Sequence, residues 1–160
     1  MNKQILELLH DNSKLTAAEI AVMLNMPESE VAAAIAELEK NKTIVSYKTI
    51  VNWEKTDFEK VSALIELKVT PQRGGGFDKI AEKIYNYPEV TSLYLMSGAY
   101  DITVIVEGKT MKDVALFVAN RLAPMEDVIS TATHFVLKKY KMEGAIFEED
   151  TPDERSVITL

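Results

Sequence analysis

The stretch Leu93-Tyr94-Leu95-Met96-Ser97-Gly98-Ala99-Tyr100-Asp101-Ile102-Thr103-Val104-Ile105-Val106 decides how this chain is read. Its two ends are rich in β-branched and large apolar residues, so it reads as two β-strands joined by the polar turn Ser97-Gly98-Ala99-Tyr100-Asp101. Gly98 suits a turn because a residue without Cβ takes positive φ at little steric cost. Asp101 stands where the strand is about to resume at Ile102 and Val104, a poor position for packing material. A carboxylate beside free backbone N–H groups makes a seat for a small zwitterion such as an amino acid. The plainer alternative gives Asp101 only the turn's own amides to bond, a common task for aspartate. The turn by itself leaves both readings open.

Working outward, Val61, Ala63, Ile65, Leu67 and Val69 alternate with Ser62, Leu64, Glu66 and Lys68, which predicts a strand with one strongly apolar face. Pro71-Gln72-Arg73-Gly74-Gly75-Gly76 follows. Its glycines lack the lysine and Ser/Thr of a phosphate-binding loop, so it reads as a strand-to-helix connection. Phe77, Ile80, Ala81 and Ile84 form a helical stripe that stops before Pro88. Past the central strands, Thr110 opens a helix carrying Met111, Val114, Phe117, Val118 and Leu122, closed by Ala123-Pro124. A long final strand is predicted from about Val128 to Tyr140. The order strand, helix, strand, strand, helix, strand is that of a ferredoxin-like βαββαβ sandwich. Two helices cover one face of such a sheet. Yet apolar residues fall at both parities, Ala132 and Val136 against Ile129, Phe135 and Leu137, and Ile105 against its neighbours. A second copy of the sheet is the simplest cover for the other face, so an obligate homodimer is expected.

Before the sandwich, the pattern is helical. Ile5, Leu6, Leu8 and Leu9 lie at helical spacing. Thr16-Ala17-Ala18-Glu19 is a capping box that opens a second helix ending near Asn25. Met26-Pro27 is the next break, and a third helix presents Val31, Ile35 and Leu38 on one face. Two helices separated by a three-residue break have the layout of a helix-turn-helix. The third helix offers no arginine or lysine to a base edge before Lys40, which equally suits a three-helix bundle with no DNA role. Ile44–Val51 reads as a connecting strand, and Trp53-Glu54-Lys55-Thr56-Asp57 as a polar linker. The chain is therefore α+β, with a winged-type helix-turn-helix domain over 1–52, the sandwich over 53–140 and an acidic extension over 141–160.

Composition narrows the function. Of a net charge of −7, the extension carries two basic against six acidic residues, so the low pI is mostly a property of the tail. No general attraction to nucleic acid follows from that balance. There is no cysteine, hence no disulfide, thiol nucleophile or Cys-ligated metal. No apolar run approaches the ~20 residues of a membrane span. Met1-Asn2-Lys3-Gln4 lacks the apolar core of a signal peptide, so a cytoplasmic location is expected. No cofactor or metal site is expected either.

Taken together, these pieces resemble the Lrp/AsnC, or feast/famine, family of transcriptional regulators over roughly Asn2 to Tyr140. The residues that carry the resemblance are the helix-turn-helix, Leu38-Glu39 closing its third helix, and the connecting strand with Tyr47. The turn Ser97–Asp101 stands in place of the family's glycine-x-x-aspartate turn, and Thr131-Ala132-Thr133-His134-Phe135-Val136-Leu137-Lys138 resembles its closing strand. The resemblance implies a DNA-binding transcriptional regulator, a dimer often assembled into tetramers or octamers, and double-stranded DNA as partner. It also implies an amino-acid effector at Ser97, Gly98, Ala99, Tyr100 and Asp101, lined by Thr131 and Thr133. DNA contact would fall to Lys14, Ser29, Ala33, Lys40, Lys42 and Lys48. Pro27 stands where a Ser or Thr cap is usual, and Lys42 where a glycine often ends the helix. Val157-Ile158-Thr159-Leu160 is a candidate strand to add to a sheet edge, or else a solvated tail. Two alternatives are a sensor that acts through protein partners without DNA, and an enzyme similar to the siroheme decarboxylases. His10 and His134 are too far apart in the pattern to form the cluster such an enzyme needs.

Overall fold

The computed structural model describes residues 1–71 and 75–147. The chain divides into two compact units, Met1–Ile50 and Val51 onward.

In the first unit, α1 (Asn2–Asp11), α2 (Ala17–Leu24) and α3 (Glu28–Lys40) close over Ile5, Leu9, Ile20, Ala21, Val31, Ala34 and Leu38. The capping box forms as the sequence predicts. Glu19 N–H donates to Thr16 Oγ1 at 3.2 Å, and Thr16 N–H donates to Glu19 Oε2 at 2.8 Å. Those bonds, the backbone one first, hold the Glu19 carboxyl below the ordinary carboxylate range. Asn25 ends α2 in the left-handed conformation at φ 52°, which turns the chain toward α3. Residues 44–51 do not form the predicted strand, because no ladder partner reaches them among the described residues. Tyr47 nevertheless ties this segment back, its hydroxyl donating to Glu39 Oε1 at 2.9 Å. Partial burial, and then Glu39, push the Tyr47 phenol up.

The second unit is the βαββαβ sandwich. Strands β1 (Val61–Val69), β2 (Val90–Leu95), β3 (Ile102–Gly108) and β4 (Val128–Phe135) form one antiparallel sheet in the order β2-β3-β1-β4. The helices α4 (Asp78–Tyr85) and α5 (Met111–Phe117) cover one face. Ala63, Ile65, Leu67 and Val69 of β1 meet Ile102, Val104 and Val106 of β3, with Ile80, Ile84, Val114 and Leu122 packed above. Alternation decided this: from Ala63 onward every second β1 residue is buried. Thr110 caps α5 with a second capping box, answered by Asp113. The helix does not run regularly to Ala123. Val118–Leu122 widens to a π turn, with Ala123 N–H donating to Val118 O at 2.9 Å.

The last strand is shorter than predicted. Val136 N–H still donates to Ser62 O at 2.9 Å, but pairing stops there. A bulge places Ile129 outside the register, between the pairs Lys68–Ser130 and Val69–Val128, and leaves it 65% exposed. Beyond it, β5 (Lys141–Met142) and β6 (Ala145–Ile146) make a small hairpin across Glu143 and Gly144, both at positive φ. The start of the predicted extension is therefore ordered. The segment Val157–Leu160, Arg155, and Gln72–Gly74 lie outside the described residues.

Candidate functional site

The turn lies where β3 stops pairing with β1. Met96 N–H donates to Asp101 O at 2.8 Å and closes a four-residue loop, Ser97–Tyr100. Asp101 N–H donates to Leu67 O at 3.0 Å, the last backbone rung. The next donor on that side of β1 is Val69 N–H. With β3 turning away it has no carbonyl to meet, and the Asp101 carboxylate replaces one, accepting it on Oδ2 at 2.9 Å. The other oxygen accepts from Lys68 Nζ at 3.1 Å. The Val69 N–H and then the Lys68 ammonium hold the Asp101 carboxyl below the ordinary carboxylate range. Asp101 therefore bonds the neighbouring strand and not the amides of its own turn.

Gly98 differs from the expectation. It does not adopt positive φ, because four residues span the gap without a left-handed step. Nothing lies within 4 Å of the place a Cβ would occupy. Ser97, Gly98 and Ala99 are exposed, and Tyr100 is half-buried. Among the described residues, the N–H groups of Ser97 through Tyr100 have no backbone acceptor.

Not all predicted residues converge. Thr131 pairs with Leu67 and Thr133 with Ile65, so both stand on the helix-covered side of the sheet. Lys68 and Asp101 meet on the opposite side. Thr131 shares an end of the sheet with the turn, but not a face. Lys68 is the residue that sequence reasoning missed; its place in the alternation of β1 marks it as outward-facing, and only the register puts it beside Asp101. On the same uncovered face, His134 meets Glu66 at 3.1 Å, and Lys60 meets Glu107 at 2.7 Å. No group of three metal-ligating side chains occurs among the described residues.

In the first unit, Ser29, Ala33 and Lys40 occupy the side of α3 opposite Val31 and Leu38, and all three are exposed. Lys40 approaches Glu37 at 4.0 Å across solvent, a contact of little energetic weight. Lys14 lies exposed in the turn before α2, and Lys48 in the segment after α3. Lys42 adopts φ 63°, the left-handed region that glycine enters at lower cost.

Comparison with known proteins gives this geometry its setting. Residues 62–146 match the model of the Lrp/AsnC ligand binding domain, and residues 2–45 that of a winged helix-turn-helix DNA-binding domain. The chain belongs to the Lrp/AsnC family. It is 48% identical over 157 residues to the uncharacterized HTH-type transcriptional regulator YugG of Bacillus subtilis (strain 168), covering 98% of this chain and 95% of that one. The fold is similar to the structure of E. coli AsnC, at 20% identity and TM-score 0.68, covering 88% of this chain and 93% of that one. It is also similar to the transcriptional regulator NMB0573/L-Met complex from Neisseria meningitidis, at 22% identity and TM-score 0.71, covering 88% and 90%. The chain is thus a DNA-binding transcriptional regulator of the Lrp/AsnC type with an effector-binding domain, and not an enzyme. Membership in this family sets aside the decarboxylase resemblance and the reading without DNA. No helix among the described residues is long and apolar enough to cross a membrane.

Proposed function

We propose that this regulator responds to an amino acid bound at the Ser97–Asp101 turn. The observation that carries the reading is the Lys68–Asp101 pair, an ammonium and a carboxylate 3.1 Å apart at the edge of an exposed loop. Such a pair is the complement of a zwitterion: Asp101 faces the ligand's ammonium, and Lys68 its carboxylate. The N–H groups of Ser97, Gly98, Ala99 and Tyr100 supply further donors. Thr131 and Thr133 contact a ligand only where it extends past the strand ends. The L-Met in the name of the Neisseria meningitidis neighbour supports an amino acid as the ligand class.

The proposed assembly is a homodimer joined through the helix-free face of the sheet, built further into tetramers or octamers, in the cytoplasm. Lys14, Ser29, Ala33, Lys40, Lys42 and Lys48 are proposed to face double-stranded DNA, with effector binding biasing the assembly that presents them.

A thermal-shift screen across the common amino acids tests this, since a ligand that favours the native state raises the melting point. Asp101→Asn is the informative variant. It keeps an oxygen to accept from Val69 N–H while removing the charge offered to an ammonium. The expected result is a folded protein that no longer responds to the amino acid that shifts the parent. An unchanged response would place the effector elsewhere.

A further inference from the structure

The second unit also holds a cavity of about 410 Å³ at the other end of the sheet, lined by residues that include Trp53, Phe58, Lys60 and Val61. It opens at the start of β1, whereas Asp101 bonds the end of that strand, roughly 27 Å away at the rise of an extended chain. Its size lies within the range of small-molecule sites.

Trp53 and Phe58 meet edge to face, with centroids 5.9 Å apart and planes at 83°. The Lys60 ammonium stands 4.8 Å from the Trp53 ring centroid. Lys138 and Lys139 enter from the segment that follows β4, with Lys138 Nζ 4.8 Å from the Tyr140 ring. Among the described residues, Glu54 is the one acidic residue in the lining. Behind the wall, Glu107 takes Lys60 at 2.7 Å and Lys139 at 3.9 Å. Among the described lining residues and Glu107, three lysines stand against two glutamates beside two aromatic rings. The lysine end of the cavity favours an anion.

We propose that this cavity binds a small aromatic monocarboxylate, its ring against Trp53 and Phe58 and its carboxylate at Lys138 and Lys139. Ring contact and a charge-assisted hydrogen bond are what such a ligand gains here. A free amino acid fits less well, because its ammonium meets lysines. The site is therefore chemically distinct from the turn, and its occupancy does not depend on the effector reading.

Trp53 is the chain's one tryptophan, so its emission reports this cavity directly. Titration of the full chain with phenylacetate should give a saturable change in that emission. The neutral phenylacetamide should bind about tenfold more weakly, the loss expected for a hydrogen bond to a charged group. Lys139→Met should weaken phenylacetate by a similar factor, with Glu107 still held by Lys60. Phe58→Ala, at a side chain already 72% exposed, should weaken both ligands while leaving the fold intact. The proposal is overturned by no saturable change with phenylacetate, by equal affinity for the amide, or by both variants binding like the parent. It is also overturned if dilution alone changes the emission and phenylacetate binds only the dilute form, since a second copy then fills the cavity.

Discussion

At Asp101 a side chain finishes what the backbone leaves undone, and that dependence is visible in acid. Its carboxyl is held low by Val69 N–H first and Lys68 second. A depressed carboxylate contributes stability that is fully present above the unfolded value, about 3.9, and is lost as pH falls through the folded value. Asp101→Asn should therefore lose less stability than the parent as pH falls below about 4, read from urea midpoints; identical acid limbs would remove that role. Lys42 poses the opposite case, a residue under strain at φ 63°. Lys42→Gly should raise stability by about 1 kcal/mol and weaken DNA binding at low salt, measured by denaturation and a binding titration. Sequence made Asp101 conspicuous, because a carboxylate before a strand needs a reason. It did not show Lys68, 33 positions away, since that contact exists only once β1 and β3 are in register. Gly98 was legible as turn material, though for a different reason than its φ provides.

Helix α2 announces its start in four letters, and that capping box forms; Thr110, read as the start of α5, turns out to belong to a second one. Thr16→Ala should cost about 1 kcal/mol in unfolding free energy, because Glu19 N–H loses its acceptor, the Thr16 hydroxyl. A chemical-denaturation midpoint unchanged by that substitution would show the cap to be idle. Strand β1 was equally plain, since strict alternation has one meaning. What alternation does not carry is where pairing ends. β4 stops near Phe135 because β1 begins at Val61 and offers no rung beyond Ser62 O. The bulge at Ile129 and the π turn at Val118–Leu122 are likewise products of packing, with no local residue signal. Residues 44–51 have strand composition but, among the described residues, no neighbour to pair with, and composition alone cannot supply one.

For the whole molecule, the order of six elements was enough to reach the sandwich, and apolar residues at both parities pointed to its uncovered face. That face is more polar than the pattern suggested. Leu64, Ile105 and Ala132 lie among the pairs Glu66–His134, Lys68–Asp101 and Lys60–Glu107. An interface built there would be knit by charge around a narrow apolar centre, and its strength would fall with salt. Sedimentation at micromolar concentration should show a dimer at low ionic strength that weakens as salt is raised. A monomer under all conditions would mean that this face stays wet. Separately, the loop at Gly98 protrudes into empty space, in a chain that has no sulfhydryl of its own. A single Gly98→Cys replacement would consequently give a unique anchor for a dye or spin label at the tip of the hairpin, tolerated by the backbone and placed to report whether the proposed amino acid binds there.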